Sequence, residues 1–100
     1  MTRTPKRIPV RGIQLTASAD WVPCGHSVSL AWEVPGLDGD NPSIQLACAG
    51  ENGMQVIESV PRQGTRQVIF ARPDVYAFTL TATFSEGVKR HKQIRIRVIN

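Results

Sequence analysis

The feature that most constrains this chain is the alternation in residues 76–84, Tyr-Ala-Phe-Thr-Leu-Thr-Ala-Thr-Phe. Successive side chains of a β-strand point to opposite faces, whereas helical spacing would scatter these aromatic rings around a cylinder. The β-branched threonines also favour a strand. We therefore predict a central strand with one buried apolar face and one threonine face. The inward set is Tyr76, Phe78, Leu80, Ala82 and Phe84.

The same alternation recurs along the chain, interrupted by residues that form turns. Gly, Pro, Asn and Asp cluster at 20–26 and 35–42, which we predict to be a connection and an exposed loop. About seven short strands with regular turn signals are typical of an all-β sandwich. We predict a two-sheet antiparallel sandwich. Besides 76–84, its strands are 12–19, 27–34, 43–49, 54–60, 65–71 and 88–99.

Three segments carry a resemblance to a known group of domains: Val28-Ser-Leu-Ala-Trp-Glu-Val34, residues 75–83, and Ile94-Arg-Ile-Arg-Val98. Through them the chain resembles bacterial and viral immunoglobulin-like domains, whose layout polycystic-kidney-disease-type and fibronectin-III-type modules share. The resemblance implies an immunoglobulin-like two-sheet antiparallel sandwich of about seven strands over residues 10–100. Tyr76 falls where such domains place a tyrosine corner. The antibody-type cysteine pair is absent, and Leu30 and Leu80 occupy its expected positions.

The basic residues concentrate at the two ends of the sequence. Nine of the 12 Lys and Arg residues, and none of the 8 acidic residues, lie in 1–19 and 87–100. Residues 1–9 contain two prolines and little apolar surface, which predicts a flexible basic tail. In an immunoglobulin-like topology the tail and the start of the last strand meet at one end of the sandwich, the basic pole. This asymmetry predicts an anionic partner, although solubility is an equally good explanation. The candidate binding residues are Arg3, Lys6, Arg7, Arg11, Lys89, Arg90, His91, Lys92, Arg95 and Arg97.

The two cysteines allow a disulfide or two free thiols. The topology brings Cys24 and Cys48 to the pole opposite the basic one, so a bond is feasible in an oxidising compartment, whereas the cytosol would keep both reduced. With His26 they offer three metal ligands, but structural zinc takes four. The run Asp38-Gly-Asp-Asn41 is better explained as a turn than as a calcium loop. We therefore expect no metal and no cofactor.

No pattern of catalytic residues is present in the sequence. The only histidines, His26 and His91, are predicted at opposite poles, and the glycines occur singly rather than in a phosphate-binding loop. These observations predict that the chain is not an enzyme. We expect Trp32 to pack in the core and Trp21 to cover the adjoining loop; an exposed Trp21 would instead suggest an interface anchor.

Together these features predict an interaction module. The favoured role is an accessory, decoration-type protein of a phage virion, assembled in the cytoplasm and docked through its basic tail and pole onto an acidic capsid or envelope component. The alternative is an adhesion or carbohydrate-associated module of a bacterial surface or periplasmic protein, for which an anionic glycan is a candidate partner. Electrostatic nucleic-acid binding is third, because no aromatic residue lies in 1–20 or 85–100 to stack on bases. No apolar run reaches the roughly 18–20 residues of a membrane span, and no signal-peptide core follows the basic N-terminus.

Overall fold

The computed structural model describes residues 13–35, 42–51, 53, 55–84 and 87–100. Within these ranges the chain forms eight β-strands and no helix. No helix of this described part is therefore long and apolar enough to cross a membrane. The strands are β1 Gln14–Ala17, β2 Trp21–Pro23, β3 Ser27–Glu33, β4 Ser43–Gly50, β5 Gln55–Ser59, β6 Gln63–Ile69, β7 Asp74–Thr83 and β8 Lys89–Ile99.

The strands form two sheets that enclose one core. The three-stranded sheet has the order β1-β3-β6, and the five-stranded sheet has the order β2-β8-β7-β4-β5. Neighbouring strands are antiparallel except β2 and β8, which run parallel. The predicted fold class, an all-β two-sheet sandwich, is confirmed, with eight described strands rather than about seven.

Strand β7 lies at the centre of the five-stranded sheet, between β8 and β4. Its alternate side chains are buried, as the pattern in 76–84 predicts, and Leu80 and Ala82 have no exposed surface. Leu30 of β3 is equally buried in the facing sheet. These two leucines therefore contribute to the core from the two facing sheets. Phe84, the last of the predicted inward set, is half-buried at the edge of the core.

Trp32 of β3 is a core residue, as predicted, and its ring restricts the size of the side chain at the cross-strand position. Its side chain is 5% exposed, and the indole Nε1 donates a hydrogen bond to the Pro61 carbonyl at 2.9 Å. Gly64 of β6 is its cross-strand partner. A Cβ atom at Gly64 would lie 2.8 Å from the Trp32 ring, closer than carbon atoms approach. The glycine is therefore required so that β6 can pass over the indole.

Tyr76 fastens the start of β7 to the chain before it. The Tyr76 hydroxyl donates a hydrogen bond to the Arg72 carbonyl at 3.0 Å, which is the contact of a tyrosine corner. Its ring stacks on Phe70, with the ring centroids 4.5 Å apart. A buried phenol needs such a hydrogen-bond partner, because an unpaired hydroxyl in the core is costly.

Strand β2 lies in the segment predicted to be only a connection. After β1 pairs with β3 in one sheet, the chain crosses to the other sheet and adds β2 alongside the end of β8. The crossing is short: the Ser18 N–H donates to the Ser29 carbonyl and the Arg97 N–H to the Asp20 carbonyl, both at 2.9 Å. Three residues ending in Pro23 give no alternation, so the sequence pattern could not reveal this strand.

The strand registers define the two ends of the sandwich. Ser43, Thr83 and Lys89 lie in one row at the basic pole. The described connection 60–62 joins β5 to β6 at this same end and bridges the two sheets. At the opposite end, the far pole, Trp21 lies beside the end of β8. Because β1 starts opposite the end of β3, the chain enters the described sandwich at the basic pole, as predicted.

Candidate interaction surface

The predicted basic residues that the structure describes all lie on strand β8, and all are exposed. They follow one another from the basic pole toward the far pole. The predicted tail residues Arg3, Lys6, Arg7 and Arg11 lie outside the described residues, as does the loop containing Asp38 and Asp40. The described members are Lys89, Arg90, His91, Lys92, Arg95 and Arg97.

Among the described strands, none covers the outer edge of the first half of β8. Strand β2 covers the outer edge of β8 only at Arg97–Ile99. The Arg97 N–H donates to the Asp20 carbonyl there, so the odd-numbered residues of β8 direct their backbone groups toward that edge. Over residues 89–93 no described strand pairs with β8 on this side. The backbone groups of these odd-numbered residues therefore face outward, and no described strand is paired with them.

The outer face of this half-strand is neutral except for the basic side chains. This face is the one that points away from the three-stranded sheet. The Gln93 Nε2 donates a hydrogen bond to the Thr79 Oγ1 at 3.0 Å, which fixes both side chains. Opposite His91 and Lys89, strand β7 supplies Thr81 and Thr83. Threonines carry no charge to offset that of Lys89, so the local field on this face is positive.

The other face of the same half-strand is also basic. Arg90 and Lys92 pair with Ala82 and Leu80, whose side chains are fully buried in the core. Arg90 and Lys92 are nevertheless exposed, since they lie where the core gives way to solvent. Residues 89–92 thus present positive charge on both faces of an uncovered strand. We call residues 89–93 the basic edge.

Trp21 does not cover a loop, and that prediction was wrong. The side chain is 54% exposed on the outer face of the five-stranded sheet at the far pole. Strand β2 turns Val22 into the core, and Val22 is 6% exposed. Alternation along the strand then leaves the indole of Trp21 outside.

The two cysteines are free thiols in the structure, and both are half-buried. Burial raises the pKa of the Cys48 thiol. Burial, with Asp74 and both cysteines nearby, also raises the pKa of the Tyr76 hydroxyl. Cys24 follows β2 at the far pole, where its N–H donates to the Ile99 carbonyl at 2.7 Å, and Cys48 lies two residues before the end of β4. A disulfide between Cys24 and Cys48 stays a prediction.

The histidines lie at opposite ends of the sandwich. His91 is opposite Thr81 near the basic pole, whereas the His26 N–H donates to the Pro23 carbonyl at the far pole. Neither histidine can therefore pair with the other. Among the described residues there is no group of three or more His, Cys, Asp or Glu side chains that could hold a metal ion.

A cleft of about 660 Å³ between β5 and β6 was not predicted. Glu58 and Arg66 form an ion pair that joins the two sheets across it. The sequence did carry a signal for this opening. Glu58 pairs with the inward Leu46 and Arg66 with the inward Leu30, so two charged residues occupy core-facing positions. The apolar lining is Leu30, Leu46, Val56, Val68, Phe70 and Phe78.

The fold, but not the sequence, is similar to known proteins. No protein-family model and no curated protein matches the chain. A superoxide reductase (neelaredoxin) from Ignicoccus hospitalis matches with a TM-score of 0.68 at 13% identity, over 88% of this chain and 80% of that one. A variant of that protein gives 0.68 at 12% identity, over 87% and 79%. The PmoD soluble domain from Methylocystis sp. (Rockwell) matches with a TM-score of 0.61 at 13% identity, over 92% and 94%.

These neighbours correct one prediction from the sequence. The expectation that the chain is not an enzyme is contradicted, since the same sandwich carries an enzyme in the superoxide reductase structures. Lack of a recognisable catalytic motif was therefore too weak a basis for that conclusion. At such low identity the likeness shows the fold alone, and it assigns no activity to this chain.

Proposed function

We propose that this chain is an interaction module that docks onto an acidic protein surface through the basic edge of β8. The proposal rests on one observation: positively charged side chains and backbone groups without a described partner strand occur together in the first half of β8. Lys89, Arg90 and Lys92 are exposed there, and no described strand pairs with that edge. A positive edge meets an acidic partner with complementary charge, which speeds association and suppresses wrong partners.

The free backbone of the same half-strand favours an extended partner segment. A strand added to an exposed edge gains main-chain hydrogen bonds, while its side chains determine specificity. Lysines on an edge strand disfavour pairing with a second, equally basic copy. An acidic segment that adds alongside residues 89–93 satisfies both the charge and the backbone groups.

The setting of this docking is part of the proposal. We propose an accessory role on a phage virion, with a bacterial surface or envelope protein as the alternative; an immunoglobulin-like relationship would suit either. Residues 1–9 would add basic contacts in both settings. Mass spectrometry of the native assembly distinguishes them, because capsid or tail proteins would accompany the chain in the first and envelope proteins in the second.

Charge reversal with a matched control tests the docking. Lys92→Glu should weaken binding of the companion found in the native assembly, mainly through a slower association rate, and the loss should shrink at high salt. Arg72→Glu is the control, because it makes the same charge change at an exposed site outside β8. Equal losses for the two variants would show a response to net charge alone and would refute docking at the basic edge.

Binding of single-stranded DNA tests the third role predicted from the sequence, electrostatic nucleic-acid binding. Binding that tightens steeply as salt is lowered, with the acidic companion displaced by oligo-dT, would favour a nucleic-acid ligand. We expect weak binding of oligo-dT, because no aromatic residue lies on β8 to stack on bases.

A further inference from the structure

A second surface lies at the far pole, away from the basic edge. It is a shallow depression of about 670 Å³ on the outer face of the five-stranded sheet. Trp21 and Arg97 are direct neighbours across the parallel pairing of β2 with β8, and Val75 is next in the same row. The lining that matters for the argument is Asp20, Trp21, Glu51, Arg95, Arg97 and Ile99.

Trp21 is held in place although its side chain is exposed. The residue before it is fixed by the hydrogen bond from the Arg97 N–H to the Asp20 carbonyl, at 2.9 Å. Beyond the short strand, the Cys24 N–H donates to the Ile99 carbonyl at 2.7 Å. A rigid backbone presents the indole without the entropy cost of ordering a loop on binding. With 54% of its surface exposed, Trp21 offers a flat apolar face to a ligand.

The depression has room for a ring lying beside the indole. Ile99, 39% exposed, continues the apolar surface next to Trp21. Glu51 lies at the other side, where its N–H donates to the Val75 carbonyl at 3.3 Å. Trp21 and Glu51 are therefore three strand spacings apart, about 14 Å. An apolar wall at one side and polar groups at the other are usual in sites for small ligands.

The charges of the depression balance. Asp20 and Glu51 supply carboxylates, which only accept hydrogen bonds, and Arg95 and Arg97 supply guanidinium groups, which only donate. A polyanion would meet as many carboxylates as guanidinium groups and gain no net attraction, and an alkyl chain would leave four charged groups without partners. Hydroxyl groups both donate and accept, so a polyhydroxylated ring can satisfy both kinds of group.

We propose that this depression binds a neutral oligosaccharide, of which one ring stacks on Trp21 while the hydroxyl groups of this ring and of the next rings bond to Asp20, the two arginines and Glu51. The proposal is independent of docking through the basic edge, because none of the residues that carry it lies in 89–93. The two surfaces can therefore operate together, with one end of the molecule on a protein and the other on a glycan.

Nitrogen-15 NMR of the whole chain tests the proposal with an internal reference. The two indole N–H groups give separate signals, and that of Trp32 is held inside the protein by its bond to Pro61. We expect at least one of cellohexaose, chitohexaose and maltohexaose, at millimolar concentration, to shift the Trp21 signal saturably and to leave the Trp32 signal in place.

Matched variants localise the effect. Trp21→Ala lacks the indole signal, so its binding is followed by backbone amide shifts, and it should be weakened at least about tenfold, as expected for an aromatic anchor. Asp20→Asn and Glu51→Gln should each weaken it several-fold. Ile57→Ala is the control, since Ile57 is 55% exposed on the same sheet but distant from Trp21, and it should leave binding unchanged.

Three results would overturn the proposal. One is the absence of a shift with all three oligosaccharides. Another is a stronger response of the Trp21 signal to heparin or oligo-dT, which would identify a polyanion site instead. The third is equal loss of binding in Trp21→Ala and Ile57→Ala while both variants keep the folded spectrum.

Discussion

Within the part of the chain that the structure describes, the sandwich has two open sides, and different kinds of side chain are exposed on them. On the side of β8 the uncovered half-strand displays cations on both faces. On the side of β5 and β6, three large apolar side chains are exposed among polar ones: Val56 is 51% exposed, Ile57 55% and Ile69 66%. The first side therefore suits a charged partner in water. The second opens into the core.

The difference shows two ways of protecting a sheet edge. The Lys and Arg side chains of β8 itself disfavour pairing of this strand with the same strand of another copy. Between β5 and β6, the ion pair of Glu58 and Arg66 spans the cleft and holds the two strands together. A contact can be removed by one substitution, whereas the charge of β8 is spread over several residues. The predictions below use this contrast, from the largest effect to the smallest.

Leu80→Ala should affect both sides together, because β7 lies between β8 and β4 in the sheet. Leu80 has no exposed surface, so truncation leaves a cavity and should cost about 2–5 kcal/mol of unfolding free energy. Urea denaturation followed by tryptophan fluorescence measures this loss. A loss below about 0.5 kcal/mol would mean that Leu80 is not in the core.

Gly64→Ala should disturb mainly the β6 side. The new methyl group would meet the Trp32 ring at 2.8 Å, and overpacking of this kind typically costs about 1–3 kcal/mol. Denaturation gives the cost, and the indole N–H signal of Trp32 should shift because its environment changes. Gly53→Ala, at a site with open space but positive φ, is a control for backbone strain without crowding; it should leave the Trp32 signal unchanged.

Glu58→Gln should change stability little but open the cleft. Both partners of the ion pair are 40% exposed, and such pairs contribute about 1 kcal/mol or less. Loss of the attraction should nevertheless increase binding of an apolar fluorescent dye to the lining. Lys92→Gln is the control, because it removes a charge from the other open side, and it should leave dye binding unchanged. An equal rise in both variants would contradict the contrast between the two sides.

Alkaline pH should destabilise the cleft side gradually. Burial raises the pKa of Cys48, which lines the cleft, above the ordinary 9.0. As pH rises past that value the unfolded chain loses the thiol proton while the folded chain keeps it, so unfolding becomes easier. The raised pKa of Tyr76 extends the effect past 10.0. Denaturation across this range should show falling stability, less steeply in Cys48→Ala; an identical slope in that variant would remove Cys48 as a cause.

Local alternation explains which parts of the fold were predictable. The alternation from Tyr76 to Phe84 predicts strand β7, and the same alternation in β3 predicts that Trp32 is buried. Strand β2 has three residues and is defined only by pairing with β8, over 70 residues later, so no local pattern reveals it. The exposure of Trp21 depends on that strand and was missed with it.

The candidate surface was predictable in composition but not in extent. The charges of residues 89–97 are visible in the sequence, and the alternation of β8 predicts that Arg95 and Arg97 face outward. Residues 89–93 have no described partner at their outer edge because β2 pairs with β8 only at Arg97–Ile99. This pairing is tertiary structure, so the local sequence does not predict it. The balanced charges around Trp21 likewise arise because the fold brings Asp20 and Glu51 to the same depression as Arg95 and Arg97.

Hydrogen exchange of the chain, free and within its native assembly, tests most directly whether the basic edge is the docking surface. We predict slower exchange of the Lys89, His91 and Gln93 amides in the assembly, with little change at β5 and β6. Protection confined to 55–59 and 63–69, with the amides of 89–93 exchanging as fast as in the free chain, would contradict it and identify the apolar side as the interface.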